Sequence, residues 1–155
     1  MKKWYRVSKY DPSNRDHLGR YQGDEWTSFS DIVKNEAKYG KCIVEYYKIE
    51  NSYIDTIIDM LSHNKNRFLR IRAYECYSDD VTWKNHQKLS ITSVIHFARD
   101  CLREKCWGKM YGKRIEIHFG YDYYMYIGVC QRNTYVEEIV KKHNLYVECI
   151  KSPYN

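Results

Sequence analysis

The stretch CWGKMYGKRIEIHFGYDYYMYIGV, residues 106–129, decides the fold. It divides into three short segments rich in aromatic and β-branched side chains, with Gly112 and Gly120 at the two junctions. The segments span about 106–111, 113–119 and 121–129. Segments of this composition separated by glycine are typical of neighbouring strands joined by turns. The stretch therefore predicts three consecutive strands of a largely antiparallel sheet.

Alternating polar and apolar residues predict three more strands outside this stretch. They lie at 3–9, 67–76 and 145–151. The first strand is ended by turn residues at 11–14, and residues 10–25 form a long polar loop. A loop of that length in a small domain is often functional.

Apolar residues at helical spacing predict three helices. The helices lie at about 43–62, 91–105 and 134–143. Ser90 caps the second helix, either Asn133 or Thr134 caps the third, and Ser28 marks a further helix entrance. Glu50 falls near the apolar stripe of the first helix, and we expect its carboxylate to reach solvent from the helix edge.

The predicted order, β-α-β-α-β-β-β-α-β, indicates the fold class. Runs of adjacent strands mixed with helices are typical of an α+β domain, with about three helices mainly on one face of a largely antiparallel sheet. A chain of 155 residues is long enough to bury a core without disulfides or metals. No linker or repeat interrupts it, so the sequence predicts one domain over residues 1–155.

The composition favours a protein of the cytoplasm. The first residues form no apolar leader, and no apolar run is long enough to span a membrane. The six cysteines are therefore expected to be reduced thiols. The net charge of +6 is spread evenly along the chain, whereas nucleic-acid binding usually needs a concentrated basic patch.

Aromatic content is the unusual feature, with 17 Tyr and 4 Trp against 4 Phe. Tyr and Trp suit half-exposed surfaces and interfaces, although they also fill cores. Alternation in the strands assigns one set of side chains to the core and another to the outer face of the sheet. The outer set comprises Trp4, Arg6, Arg70, Arg72, Arg114, Glu116, His118, Asp122, Tyr124 and Tyr126. Rigid aromatic rings beside arginines are typical of binding surfaces, but the long loop could also cover this face.

No pattern in the sequence predicts catalysis. It contains no phosphate-binding glycine loop, no zinc-protease motif and no nucleophile elbow. His96, Cys101 and Cys106 are spaced five apart, which on a helix turns each away from the last, so no metal site is expected. His118 with a second histidine could cleave RNA without a metal, which leaves a small nuclease as an alternative.

Five blocks of the sequence resemble a family of small bacterial proteins associated with immunity to secreted polymorphic toxins, including contact-dependent growth inhibition systems. The blocks are WYRVSKYDP at 4–12, DEWTSFSDI at 24–32, EYY at 45–47 with Tyr53 and Ile54, HFGYDYYMYI at 118–127, and SPY at 152–154. The resemblance implies a non-enzymatic protein that binds and neutralises a cognate protein toxin in the producing cell. It implies no catalytic residue, cofactor or metal.

We therefore expect a protein partner, the toxin domain of a secreted protein, and no membrane. A basic inhibitor would suit a toxin with an acidic recognition surface. For a nuclease toxin, whose substrate face is usually basic, acidic groups such as Asp24, Glu25 and Asp122 would have to do the docking. The candidate partner-binding residues are Trp4, Arg6, Asp24, Glu25, Trp26, Arg70, Arg72, Arg114, His118, Asp122, Tyr124 and Tyr126. The alternative is an RNA- or DNA-binding module that uses the aromatic and basic groups of the sheet face.

Overall fold

Seven antiparallel strands form one sheet in the computed structural model, which describes residues 1–130 and 135–153. The strands are β1 (Lys3–Ser8), β2 (Phe68–Cys76), β3 (Lys88–Ser90), β4 (Cys106–Tyr111), β5 (Ile115–Phe119), β6 (Met125–Val129) and β7 (Tyr146–Ile150). Their order across the sheet is β3-β2-β4-β5-β6-β1-β7. Residues 106–129 supply β4, β5 and β6, so the prediction of three consecutive strands is confirmed, and these strands are neighbours in the middle of the sheet.

The helices are separated from the sheet in the way the α+β prediction required. They are α1 (Phe29–Lys34), α2 (Glu36–Tyr39), α3 (Ile43–His63), α4 (Ile91–Leu102) and α5 (Tyr135–Lys142). Short 3-10 turns lie at Pro12–Asn14, Gly40–Cys42 and Tyr121–Tyr123. Ser28 and Ser90 cap α1 and α4 by accepting hydrogen bonds from the backbone N–H three residues ahead, as predicted.

The strands present one apolar face to the helices. Alternate residues of β1, β5 and β6 point inward and are fully or almost fully buried, among them Tyr5, Ile117 and Ile127. Helix α4 contacts β2, β3 and β4, α5 contacts β7, and α3 packs against both helices. We call the opposite side of the sheet the open face. It carries Trp4, Arg6, Arg70, Arg72, Lys109, Tyr111, Glu116, His118, Tyr126 and Glu148.

One strand was not predicted and two predicted boundaries are wrong, each for a local reason. Strand β3 was not predicted, because three residues are too few to show alternation. The helix predicted over 91–105 ends at Leu102, since Glu104 adopts a left-handed backbone with φ of 63°. The strand predicted over 121–129 begins only at Met125, after a 3-10 turn. The predicted caps Asn133 and Thr134 lie outside the described residues.

Glu50 corrects another expectation. Its side chain does not reach solvent, since the residue is 1% exposed. Its carboxylate accepts two hydrogen bonds from Arg103, at 2.8 and 2.7 Å, and one from the Tyr46 hydroxyl at 2.7 Å. The charge near the apolar stripe of α3 is therefore a buried carboxylate in an ion pair with the partly exposed Arg103, which ties α3 to the end of α4.

Two further findings concern membrane-spanning helices and the state of the cysteines. Among residues 1–130 and 135–153, no helix combines the length and apolar character that a membrane crossing requires. All six cysteines are free thiols, and Cys101 and Cys106 are the buried ones.

Candidate functional site

The turn between β5 and β6 is the most distorted part of the Tyr-rich segment. Asp122 and Tyr123 are consecutive residues with left-handed backbone angles, φ of 56° and 64°. Residues other than glycine seldom adopt this conformation, and each such residue costs on the order of 1 kcal/mol or more. A turn of this kind persists only when its surroundings hold it in place.

Two buried tyrosine hydroxyls hold the turn. Tyr10 donates a hydrogen bond of 2.7 Å to the carbonyl of Asp122, and Tyr53 donates one of 2.7 Å to the carbonyl of Tyr123. The Tyr53 hydroxyl also accepts a hydrogen bond of 3.1 Å from the backbone N–H of Lys9. The polar loop after β1, helix α3 and the turn are thus joined through two side chains.

An aromatic cluster lies beneath the turn. The ring of Tyr123 packs edge-on against Trp26, Tyr46 and Tyr53, with centroid distances of 5.1, 5.7 and 4.9 Å. Its hydroxyl donates to that of Tyr46 at 3.0 Å, and Tyr46 in turn donates to Glu50. Burial raises the pKa of Tyr46 and Tyr123 well above the usual range, so both stay protonated and can donate.

A cleft of about 720 Å³ lies beside this turn. It reaches from the open face around the start of β4 to Ser28, the cap of α1. It is lined by Thr27, Ser28, Glu75, Tyr77, Cys101, Leu102, Glu104, Cys106, Trp107, His118, Phe119, Gly120, Tyr121, Asp122, Tyr123, Tyr124, Tyr126 and Pro153. Its size is within the range of small-molecule and side-chain binding pockets.

Two exposed tyrosines stand on the wall of the cleft. Tyr121 is 93% exposed and Tyr77 is 61% exposed. Tyr121 belongs to the held turn, so its backbone is fixed although its ring faces solvent. An exposed ring on a fixed backbone loses little entropy when a partner covers it, which is the property of binding hot spots.

His118 forms part of the cleft wall, but the expectation that it lies exposed on the sheet face is wrong. It is 2% exposed, and the rings of Trp4 and Tyr111 cover it at centroid distances of 5.0 and 5.8 Å. Trp4 can lie there because it packs over Gly128, where a Cβ would come within 2.9 Å of its ring. Glu116, predicted to face outward with His118, is likewise buried.

Burial lowers the pKa of His118 to about 3, and the positive charges of Lys109 and Lys2 act in the same direction. Glu116 lies 3.4 Å from Nε2, but its carboxylate is already ion-paired with Lys2. An imidazole with so low a pKa is too weak a base to accept a proton efficiently and is not protonated to act as an acid, and the covering rings separate it from a substrate. The arrangement therefore does not favour the nuclease alternative.

The polar loop covers one end of the open face. Arg6 and Arg15 both bind the carboxylate of Glu148, at distances of 3.0 to 3.2 Å, and Arg15 donates to the Tyr124 hydroxyl at 3.0 Å. These two arginines and Lys9, which binds Glu25 at 2.6 Å, are engaged within the protein. The open face is thus partly covered near β6, β1 and β7, by the loop that the sequence indicated as a possible cover.

The structure brings only some of the candidate residues together. Four of them line the cleft, namely His118, Asp122, Tyr124 and Tyr126, and Trp4 contacts the first of these. Trp26 is buried in the core under the turn, and Asp24 is exposed and pairs with Lys38. Arg70, Arg72 and Arg114 are exposed and do not line the cleft.

Sequence reasoning missed the opposite wall of the cleft. Glu75, Tyr77, Glu104 and Trp107 lie there. One signal could have indicated them: Glu75 and Tyr77 stand at and just beyond the end of β2, and residues at strand ends often bind ligands.

In residues 1–130 and 135–153, no three His, Cys, Asp or Glu side chains are grouped as a metal ion would require. Comparison of the chain with protein-family models, with curated proteins and with solved structures finds no match in any of the three.

Proposed function

We propose that the protein binds and neutralises a cognate secreted toxin in the cytoplasm of the producing cell, without catalysing a reaction. The observation that carries this proposal is the convergence of the resemblance blocks in space. Tyr10, Trp26, Tyr46, Tyr53 and Tyr123 come from four blocks of the chain and meet around one turn. The fifth block contributes Pro153 to the adjoining cleft.

The arrangement suits binding more than chemistry. The turn and the cleft wall are held before any partner arrives, which reduces the entropy lost on association. The exposed rings of Tyr77 and Tyr121 supply apolar area at the edge. An immunity protein needs shape and charge complementarity to a toxin surface, and a preformed cleft with charged and aromatic lining is the kind of surface that can supply it.

The test is co-expression with the toxin encoded immediately upstream, read out as co-purification and as growth rescue. Tyr121→Ala should weaken binding about 10-fold or more, as truncation of a hot-spot residue does. Tyr146→Ala is the matched control, because this tyrosine is 40% exposed on β7 and does not line the cleft. It should change binding less than about threefold. Folded wild-type protein that neither binds the toxin nor restores growth would refute the proposal.

A second candidate function is nucleic-acid binding, favoured by a basic patch on β2, β3 and β4 together with Lys2, which precedes β1. The patch consists of cations that lie over aromatic rings: Arg72 and Lys2 over Tyr111, Arg70 and Lys88 over Phe68, and Lys109 near Trp107, at 4.3 to 5.9 Å from the ring centroids. Such a surface can contact phosphates and stack bases.

Salt dependence separates this candidate from toxin binding. Affinity for a labelled duplex should fall by about 0.9 decades per decade of salt for each phosphate contacted. Charge reversal at Arg72 and Lys109 together should weaken the binding and reduce that slope. The absence of binding at low salt, measured by fluorescence anisotropy, would eliminate nucleic acid as a partner.

A further inference from the structure

The charges that line the cleft have the opposite sign to the chain as a whole. The protein carries a formal net charge of +6. Among the described residues that line the cleft, the charged ones are nevertheless all acidic, because His118 is neutral. They are Glu75, Glu104 and Asp122. A local negative field of this kind selects cations even on a basic protein.

The two cations nearest to Glu104 in the sequence bind carboxylates outside the cleft. Arg103 and Lys105 flank Glu104 in the sequence. The first binds Glu50 at 2.7 Å, and the second binds Asp80 at 2.5 Å. Their charges are therefore partly compensated by carboxylates outside the cleft, which preserves the negative field at Glu104.

Aromatic rings complete the chemistry of the cleft. Tyr77 and Tyr121 are largely exposed beside the acids, and Trp107 and Tyr126 continue the wall. The faces of aromatic rings attract cations, and planar guanidinium groups also stack on them. Carboxylates beside such rings can bind the same guanidinium through paired hydrogen bonds.

We propose that the cleft binds an arginine side chain from a basic segment of the partner protein, with the guanidinium against the rings of Tyr77 or Tyr121 and paired with the cleft carboxylates. The identity of the partner rests on the proposed function, whereas the chemistry of the occupant rests on the cleft. An arginine from a toxin surface that contacts nucleic acid would meet this description, because such surfaces are basic.

The first test uses a defined probe and does not need the toxin. The amide shifts of the protein are followed by NMR during titration with acetyl-Gly-Arg-Gly-amide. The counterpart with citrulline, which has nearly the same shape but no charge, serves as the reference. The arginine peptide should bind about fivefold or more tightly and should shift amides at Tyr77, Glu104 and Tyr121, as a cation–π contact plus an exposed ion pair allows. Equal affinity for both peptides, or shifts elsewhere on the surface, would overturn the proposal.

Two triple variants test whether the cleft carboxylates are the groups that bind the guanidinium. The cleft variant carries Glu75→Gln, Glu104→Gln and Asp122→Asn, and asparagine tolerates the left-handed backbone at position 122. The control variant carries Glu36→Gln, Asp55→Asn and Glu138→Gln at exposed positions outside the cleft. Both raise the net charge equally. The preference for arginine over citrulline should vanish in the cleft variant and persist in the control, and equal losses in both would contradict the assignment.

The toxin assay separates this inference from the proposed function. Where the wild type binds the toxin, the cleft variant should weaken binding about 10-fold or more and the control less than about threefold. Equal toxin binding by the two variants would refute the cleft assignment and leave the proposed function in place. A wild type that binds the arginine peptide but no toxin would refute the proposed function alone.

Discussion

Arg103→Ala is expected to lower the free energy of unfolding by up to about 3 kcal/mol, the lower end of the range found when one partner of a buried ion pair is removed, because the Arg103 side chain is itself 30% exposed. The carboxylate of Glu50 is almost fully buried and receives both of its shortest charged hydrogen bonds from Arg103. Arg99 remains at 3.5 Å, but its side chain is more exposed, so it compensates only in part. Urea unfolding at pH 7 measures the change.

A double variant tests whether the loss of stability comes from the uncompensated charge of Glu50. Glu50→Gln combined with Arg103→Ala should be more stable than Arg103→Ala alone, because a neutral amide costs less to bury than an uncompensated carboxylate. The surface pair Lys105–Asp80 provides the control, since Lys105→Ala removes a charge pair that water already screens. If the double variant is no more stable than the single one, Glu50 is not held as a buried charge.

Acidification should destabilise the protein through His118. The pKa of His118 lies near 3 in the folded state, below the ordinary value of 6.5. The unfolded chain therefore binds the proton first, and the stabilisation is complete above about pH 6.5. As the pH falls from 6.5 towards 3, the free energy of unfolding should decrease by up to about 1.4 kcal/mol per pH unit.

His118→Gln isolates this contribution. The variant lacks the titrating group, so its stability should fall less steeply than that of the wild type between pH 6.5 and 4.5. Asp59 and Glu148 have lowered pKa values and also lose stabilisation in acid, but in a lower range and equally in both proteins. If the free energy of unfolding falls equally in the two proteins across this range, protonation of His118 does not destabilise the folded state.

Properties that depend on neighbouring residues could be predicted from the sequence. The helix predicted over 43–62 is observed at Ile43–His63, because its apolar residues repeat with helical spacing. Alternation located β1, and the caps at Ser28 and Ser90 follow from hydroxyls near the first free N–H groups of a helix. These signals act over a few residues, so no knowledge of the fold is needed to read them.

The candidate site could be predicted only in part. The alternation of the Tyr-rich segment placed Tyr123 in the core and Tyr126 on the other face, as observed. It did not show that residues 121–123 form a turn, since the left-handed angles of Asp122 and Tyr123 depend on hydroxyls from Tyr10 and Tyr53 far away in the chain. The cleft is lined by strand ends that are distant in sequence. The wall formed by Glu75, Tyr77, Glu104 and Trp107 therefore could not be predicted from local sequence patterns.

By itself, the sequence determined the α+β class, the longer helices and most strands, and the inward and outward faces of the central strands, because binary patterning and turn chemistry are local. Only the tertiary structure decided which outward side chains stay exposed. Glu116 and His118 alternate like surface residues, yet rings and charges from other strands cover them. Burial and charge compensation arise from contacts between residues far apart in the chain, and these contacts also give the cleft its acidic and aromatic character.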